Sequence, residues 1–165
     1  MPLAAELSPE LCIERTSEAD RALLFAPFKA ALYDYVDWAW GWNEDKERLH
    51  FFERLPLNGL YKLIHRGQCV GGFCIEETPG QSQHLRTLFI RPESQGLGIG
   101  TAVLKHLIQE AQRQQRPLTL HVIRSTRPNA CTSAWDFAPC AKKRKPSSCG
   151  WTAAEAIRVS RLRPR

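Results

Sequence analysis

Several signatures of common protein classes are missing from this sequence of 165 residues. Its six cysteines include no C-x-x-C pair, so their spacing does not indicate a zinc or redox motif. No stretch approaches the roughly 20 apolar residues that a membrane-spanning helix needs. Residues 1–20 carry acidic side chains and no apolar run, which does not fit a secretion signal. We therefore expect a cytoplasmic protein without a disulfide framework.

A strong acidic charge is also missing, and the net charge of +6 is unevenly distributed. Residues 1–124 hold 14 Lys and Arg against 15 Asp and Glu, a net of −1. Residues 125–165 hold 9 against 2, a net of +7, with the densest run at Lys142-Lys143-Arg144-Lys145. Such a tail can bind nucleic acid or anionic lipid, or can simply be solvated. We favour the solvated tail, and expect no nucleic-acid and no membrane partner.

The first third of the chain predicts one strand and two helices. Residues Leu11–Arg15 alternate apolar and polar side chains, which is typical of a short strand. Thr16 or Ser17 fits the N-cap of a helix, in which Pro27 predicts a kink or a break. A second helix is predicted over residues 44–55.

Five large aromatic residues lie between these two helices, at Tyr33, Tyr35, Trp38, Trp40 and Trp42. One interpretation is a packing cluster between the helices. The other is the wall of a substrate pocket, because aromatic side chains offer rigid contact area with a polar tip. Under the second interpretation Tyr33, Trp38 and Trp42 are the candidate substrate residues.

The middle of the chain predicts a meander followed by a βαβ unit. Strands are predicted over residues 60–65, 69–76 and 84–90, and the first two are joined by a hairpin signal at residues 66–68. A helix with an apolar stripe follows from residue 97, and Leu118–Ile123 reads as the next strand. The strands that flank this helix should be parallel neighbours.

The turn between the third meander strand and this helix is rich in glycine, with Gly96, Gly98 and Gly100. Glycine lets a backbone bend sharply or approach a ligand closely. A helix that begins here points unpaired N–H groups and its positive dipole end at the turn, which suits a phosphate or pyrophosphate. A ligand-free turn is the alternative.

The residues of this turn carry a family resemblance. The letters QGLGIG at residues 95–100 fit the acyl-CoA signature [Q/R]-x-x-G-x-[G/A], and LFIRP at residues 88–92 is similar to the strand end that precedes it. Placed between a strand and a helix, after a meander, this pattern resembles the GNAT acetyltransferase superfamily. The resemblance covers residues 11 to about 124.

The resemblance implies an acetyl-CoA site and direct transfer to an amine. It implies that backbone groups of Leu88, Phe89 and Ile90 contact the pantetheine, and that the loop and helix start hold the pyrophosphate. The implied pyrophosphate residues are Gln95, Gly96, Leu97, Gly98, Ile99, Gly100 and Thr101. No nucleophile is required when an amine attacks the thioester directly, which agrees with the lack of a Ser/His/Asp or Cys/His signature.

The general base stays open among three residues. Many members of the superfamily have a Glu on the third meander strand, and the aligned position here is His84. An ordinary histidine titrates near pH 6.5 and can accept a proton from an ammonium, here through water. Glu76 and Glu77, at the end of the preceding strand, are the alternatives.

The resemblance ends near residue 125. Relatives continue with N-P-A-x-x-L-Y-x-x-x-G-F, whose Tyr often protonates the leaving thiolate. Reading the third base of each codon from Ser125 with the first two bases of the next permits this string at every position. We therefore hypothesise that residues from about 125 are translated in a shifted frame. Thr132 then stands at the position of the acid Tyr, and the last helix and strands of the family are missing or disordered.

The sequence thus predicts a mixed α/β fold of the GNAT acyl-CoA N-acyltransferase type. Residues 1–124 are predicted to form the acetyl-CoA-binding domain, and residues 125–165 a poorly ordered basic tail. The predicted activity is acetyl transfer from acetyl-CoA to an amine of a small molecule or peptide. The alternative is a catalytically impaired acyl-CoA-binding remnant, and the sequence leaves a homodimer open.

Overall fold

One mixed sheet carries three helices in a computed structural model that describes residues 4–78, 82–123, 138–139 and 154–159. The helices are α1 (Glu18–Trp40), α2 (Glu44–Leu49) and α3 (Ile99–Arg113). The strands are β1 (Ala5–Ser8), β2 (Leu11–Arg15), β3 (Leu60–His65), β4 (Gln68–Thr78), β5 (Ser82–Ile90), β6 (Leu118–Ile123), β7 (Ala138–Pro139) and β8 (Ala154–Val159). Their order in the sheet is β1-β2-β3-β4-β5-β6-β8-β7.

The predicted meander and crossover are confirmed. Strands β3, β4 and β5 are antiparallel neighbours, and β5 pairs in parallel with β6 across the α3 connection. The β3–β4 turn places Arg66 at φ 52° and Gly67 at φ 75°, the left-handed pair that a two-residue hairpin requires. The sequence did not predict β1, which pairs antiparallel with β2 at the sheet edge.

Helix α1 begins at the predicted place and runs past Pro27. Ser17 is its N-cap, and Ser17 and Asp20 exchange the two hydrogen bonds of a capping box. The helix does not end at Pro27, because the buried side chains on both sides of it, Leu24, Phe25 and Phe28, pack on the sheet. This packing offsets the backbone hydrogen bond that proline cannot donate.

The second predicted helix is two segments with different winding. Helix α2 ends at Leu49, and the chain continues through residues His50–Arg54 as a π-helical turn. The buried guanidinium of Arg21 reaches across from α1 to this turn. Its Nη2 donates to the carbonyls of Phe51 at 3.1 Å and Leu55 at 2.7 Å, and also to that of Phe52. These bonds satisfy carbonyls that the end of a helix leaves without intrahelical donors.

The two faces of the sheet carry separate apolar clusters. The face under α3 buries Phe73, Ile75, Leu85 and Ile90 against the apolar stripe of that helix. The opposite face buries Leu60, Cys74 and Phe89 against side chains of α1 and the π-helical turn. Because neighbouring residues of a strand point to opposite faces, cluster membership tells on which face each polar residue of β4 and β5 lies.

Strand β8 covers the outer edge of β6 over its whole length, from Leu118 opposite Val159 to Ile123 opposite Ala154. Strand β7 pairs in turn with β8. For residues 138–139 and 154–159 the structure therefore gives strands where the sequence analysis expects a missing or disordered end. The rest of the predicted tail, including Thr132 and Lys142–Lys145, lies outside the described residues. No helix in the described part of the chain is long and apolar enough to cross a membrane.

Candidate acetyl-CoA and acceptor site

The parallel strands β5 and β6 separate part of the way along. Their register pairs Gln83 with Leu118, His84 with Thr119 and Leu85 with Leu120. Strand β5 then continues to Ile90 and β6 to Ile123 without a further pair between them in the described residues. The edge of β5 from Arg86 to Ile90 thus faces an opening instead of a neighbouring strand.

A β-bulge lies at the point where this opening begins. Ile75 is opposite Leu85 and Cys74 is opposite Thr87, so Arg86 is an extra residue on β5. A bulge leaves one residue out of the ladder and increases the local twist. The sequence analysis missed it, because a bulge has no signature in an apolar strand pattern without a glycine.

The glycine-rich turn follows directly at the far end of this opening. Gly96 and Gly98 have φ of 77° and 78°, in the left-handed region that favours glycine, and a Cβ at either would meet no atom within 4 Å. Gly98 is the N-cap of α3, and its carbonyl accepts from the Ala102 N–H at 2.9 Å. The helix N–H groups before Ala102, at Ile99, Gly100 and Thr101, have no intrahelical acceptor. The turn therefore offers open space and backbone donors at a positive helix end, a combination that suits a pyrophosphate.

Two side chains of the predicted pyrophosphate loop have distinct positions. Gln95 Nε2 donates to the carbonyl of Ile90 at 2.8 Å, which ties the loop to the end of β5. Its side chain thus holds the loop in shape. Leu97 is 61% exposed at the tip.

The predicted pantetheine residues alternate between the two faces of β5. Phe89 is buried in the cluster with Phe28 and Phe51, whereas Leu88 and Ile90 lie on the α3 side. Their side chains belong to the two cores, so their backbone groups at the opening are what a ligand would meet.

His84 lies where β5 and β6 part. Its Nδ1 is 2.9 Å from Thr119 Oγ1, and that hydroxyl donates to the carbonyl of Gln83 at 3.2 Å. The sequence analysis had no signal for Thr119, because the contact crosses between two strands that are separated by the whole of α3.

Glu76 is brought together with His84, and Glu77 is not. Glu76 is the cross-strand partner of His84 and lies on the same face as Cys74, where its Oε1 accepts from Arg86 Nη1 at 2.9 Å. Glu77 points to the opposite face, where its Oε1 accepts from Arg116 Nη1 at 2.8 Å. The structure thus separates the two glutamates that the sequence could not distinguish.

Two neighbouring groups are held neutral by their surroundings. Burial, assisted by the charges of Arg86 and Arg54, lowers the pKa of His50 to about 4. Burial, assisted by the charge of Glu76, raises the pKa of the Cys74 thiol to about 12. A thiol with such a pKa is a poor nucleophile at neutral pH, so Cys74 is an inert core residue.

Two residues of the aromatic run contact each other. Tyr33 and Trp42 are in ring contact with centroids 5.2 Å apart, and Trp42 Nε1 donates to Glu44 Oε2 at 2.9 Å. Trp38 is 64% exposed on α1. The extensive aromatic packing on this face comes instead from phenylalanines, namely Phe25, Phe28, Phe51, Phe52 and Phe89.

Comparison with known proteins gives one family match and many structural neighbours. The profile of the acetyltransferase (GNAT) family matches residues 21–131. No curated protein sequence matches the chain. The ribosomal-protein-S18-alanine N-acetyltransferase of Escherichia coli superposes with a TM-score of 0.59 at 20% identity, covering 90% of either chain.

Two further neighbours were crystallised with coenzyme A. PaiA N-acetyltransferase from Thermoplasma acidophilum has a TM-score of 0.64 at 12% identity, covering 90% of this chain and 97% of its own. N-acetylglutamate synthase from Neisseria gonorrhoeae, complexed with coenzyme A and L-arginine, has a TM-score of 0.62 at 15% identity. It covers 92% of this chain and 33% of its own. At these identities the three structures establish a common fold.

Proposed function

We propose that this chain, which belongs to the acetyltransferase (GNAT) family, transfers the acetyl group of acetyl-CoA to a primary amine of a small molecule or peptide. The observation that carries the proposal is the continuity of the opening along β5. It runs from the glycine turn at Gly96 and Gly98 to the bulge at Arg86 and to His84. The seven residues of strand from His84 to Ile90 span about 20 Å.

The residues at this opening fit acetyl-CoA. The helix start at Ile99, Gly100 and Thr101, with the two open glycines, would hold the pyrophosphate. The edge of β5 that faces the opening, along Leu88, Phe89 and Ile90, would bind the pantetheine arm as a neighbouring strand would, by main-chain hydrogen bonds. Bound acetyl-CoA supplies an activated acetyl thioester, and every other requirement of the reaction falls to the protein.

The protein's contribution is positioning, removal of a proton and polarisation of the carbonyl. In the transfer the amine nitrogen would form a bond to the acetyl carbon while the carbon–sulfur bond breaks, coenzyme A would leave as its thiolate, and the amine would lose a proton. We assign that proton to Nε2 of His84, through a water molecule. Backbone N–H groups at the Arg86 bulge, which the ladder leaves out, suit the carbonyl oxygen as charge develops on it.

Glu76 is the second candidate for the base. Its carboxylate lies on the same face, but one oxygen already accepts from Arg86. A proton from the amine would have to displace this contact with Arg86. Its ion pair suits a role in shaping the acceptor site instead.

The test compares His84→Ala and Glu76→Gln with a matched carboxylate outside the opening. Glu110→Gln removes an ion pair with the exposed Arg113 on α3, away from the opening, and serves as the control. We expect His84→Ala to lower kcat by about 10²-fold and to abolish the acid limb of the pH–rate profile. Glu76→Gln should have a smaller effect, and Glu110→Gln none. A pH–rate profile unchanged in both site variants would exclude both residues as the base.

The alternative is that the chain still binds acyl-CoA at the glycine-rich turn but no longer catalyses acetyl transfer. Its support is the lost resemblance after residue 125, where relatives have an acid Tyr and this chain has Thr132. Titration with acetyl-CoA, with and without a panel of amines, separates the two functions. Binding with turnover supports the transferase, and saturable binding without turnover of any amine supports the remnant.

A further inference from the structure

The hydrogen bonds around His84 form a chain that ends on a backbone acceptor. His84 Nδ1 is 2.9 Å from Thr119 Oγ1, and Thr119 Oγ1 is 3.2 Å from the Gln83 carbonyl oxygen. A carbonyl oxygen only accepts, whereas a hydroxyl donates one proton and accepts through its lone pairs. The direction of the whole chain therefore follows from the single proton of Thr119.

Only one tautomer of His84 satisfies both contacts. If Thr119 donates to the Gln83 carbonyl, its lone pair must receive a proton from Nδ1. If Thr119 instead donates to Nδ1, its oxygen faces the carbonyl oxygen with no proton between them. The first arrangement makes two hydrogen bonds and the second makes one, so the first is favoured. Nδ1 then carries the proton and Nε2 carries the basic lone pair.

We propose that Thr119 is a positioning residue, which fixes His84 in the Nδ1–H tautomer so that Nε2 is the nitrogen that accepts the proton. The catalytic consequence rests on the proposed function of His84. The role belongs to the point where β5 and β6 separate, since the parallel register places Thr119 directly beside His84. Beyond Leu85 and Leu120 the strands no longer pair, so this is among the last positions at which β6 can orient a side chain of β5.

The same contacts also restrict the imidazole ring in space. A hydrogen bond from Nδ1 fixes the rotation of the ring about its bond to Cβ, which places Nε2 in one direction. Glu76 lies opposite on β4 and Arg86 two residues along β5, and these two form an ion pair with each other. The contact that orients the ring is therefore the one with the hydroxyl of Thr119.

The experiment compares Thr119→Val, which keeps the shape and removes the hydroxyl, with Thr119→Ser, which keeps the hydroxyl. The readout is the tautomer of His84 in the full chain, from the nitrogen chemical shifts of ¹⁵N-labelled imidazoles at a pH where the ring is neutral. A His84→Asn chain assigns the signal by its loss. We expect the Nδ1–H tautomer in the original chain and in Thr119→Ser, and a mixture or the Nε2–H tautomer in Thr119→Val.

Retention of the Nδ1–H tautomer in Thr119→Val, or an Nε2–H tautomer in the original chain, would overturn the proposal. Thermal melts of all chains guard against a folding defect, and Thr119→Ser supplies a second comparison if Thr119→Val is destabilised.

Turnover separates this proposal from the assignment of the base. With His84 as the base, Thr119→Val should lower kcat by roughly tenfold or more, while KM for acetyl-CoA stays within about twofold. Thr119→Ser should restore kcat. A shifted tautomer with unchanged kcat would leave the positioning role intact and would contradict His84 as the base.

Discussion

At the scale of single residues, a strand pattern predicts which side chains share a face but not which atoms they bond. The sequence predicted His84 as a candidate base, with Glu76 and Glu77 as alternatives. The structure gives Glu76 an arginine partner and gives His84 a threonine whose own proton is engaged elsewhere. That difference depends on the strand register, which is set by the Arg86 bulge and by the α3 crossover. Neither can be predicted from neighbouring residues in the sequence.

Gly96, in the proposed pyrophosphate loop, can be tested against Gly67, which lies in the β3–β4 turn. Gly96 and Gly67 have nearly the same φ, 77° and 75°, and a Cβ at either meets no atom within 4 Å. Alanine at either position should cost about 1–2 kcal/mol of stability, because an L-residue is strained in this region. We expect only Gly96→Ala to raise KM for acetyl-CoA, by about tenfold, as its methyl group occupies the approach to the loop.

Steady-state kinetics with acetyl-CoA as the varied substrate, together with urea melts, measure both effects. A similar rise in KM for Gly67→Ala would show that backbone strain is responsible, and not obstruction of the pyrophosphate loop.

His50 should make stability depend on pH. Its pKa is lowered from 6.5 to about 4 by burial and by Arg86 and Arg54, so the unfolded chain binds a proton more readily than the folded chain. The stabilisation is fully present above pH 6.5 and is lost as the pH falls towards 4. Because the ring is only partly buried, we expect a loss of about 1–2 kcal/mol.

The measurement is the free energy of unfolding between pH 4.5 and 7.5, for the original chain and for His50→Gln. Glu47, whose pKa is raised by burial, acts in the opposite direction in both chains, so the difference between the two slopes isolates His50. Parallel slopes would contradict the expectation.

At the scale of elements, the sequence predicted the parts that repeat a pattern. The capping signal of α1, the hairpin turn at Arg66 and Gly67 and the stripe of α3 are local features, and all three are present. The π-helical turn after α2 was missed, because residues 50–54 carry a normal helical pattern. The carbonyls of this turn accept hydrogen bonds from Arg21, which is far away in sequence.

Replacement of Arg21 should therefore destabilise this segment more than an ordinary arginine would. Arg21→Met leaves the carbonyls of Phe51 and Leu55 without the donor that the structure gives them, and we expect a loss of about 2–3 kcal/mol. Arg113→Met is the control, since Arg113 forms only an exposed ion pair within α3, worth about 0.5 kcal/mol or less. Urea unfolding of both variants gives the two values, and equal losses would contradict a special role of Arg21.

At the scale of the whole molecule, the family match and the fold agree with the prediction for the region that ends near residue 124. The division into a domain at residues 1–124 and a tail at residues 125–165 stays a proposal, as does the shifted frame. Strand β8 gives β6 a neighbour in the present frame, but the run with which relatives continue is absent. Frame is a property of the coding DNA, which therefore provides the test.

The frame hypothesis makes two predictions that can be checked separately. The coding DNA, read one frame over from about residue 125, should give N-P-A-x-R-L-Y-E-R-L-G-F, and any other string would refute it. A chain that carries the restored segment should melt at a higher temperature and turn over amines faster than the present chain, which we expect to be poorly stable and nearly inactive. A cooperative melt of the present chain, together with turnover as fast as that of the restored chain, would contradict this expectation.

The partial pairing of β5 with β6 has a further consequence for the order in which parts of the sheet fold and locally open. Only three residues separate β5 from β4 along the chain, whereas the whole of α3 lies between β5 and β6, and longer closures are slower. Only three residue pairs then join the two strands. Because β8 pairs with the other edge of β6, the prediction concerns the amide protons of β6 that point towards β5, which should exchange with solvent before those of β3 and β4. Such a difference would assign the two walls of the cleft to separate cooperative units.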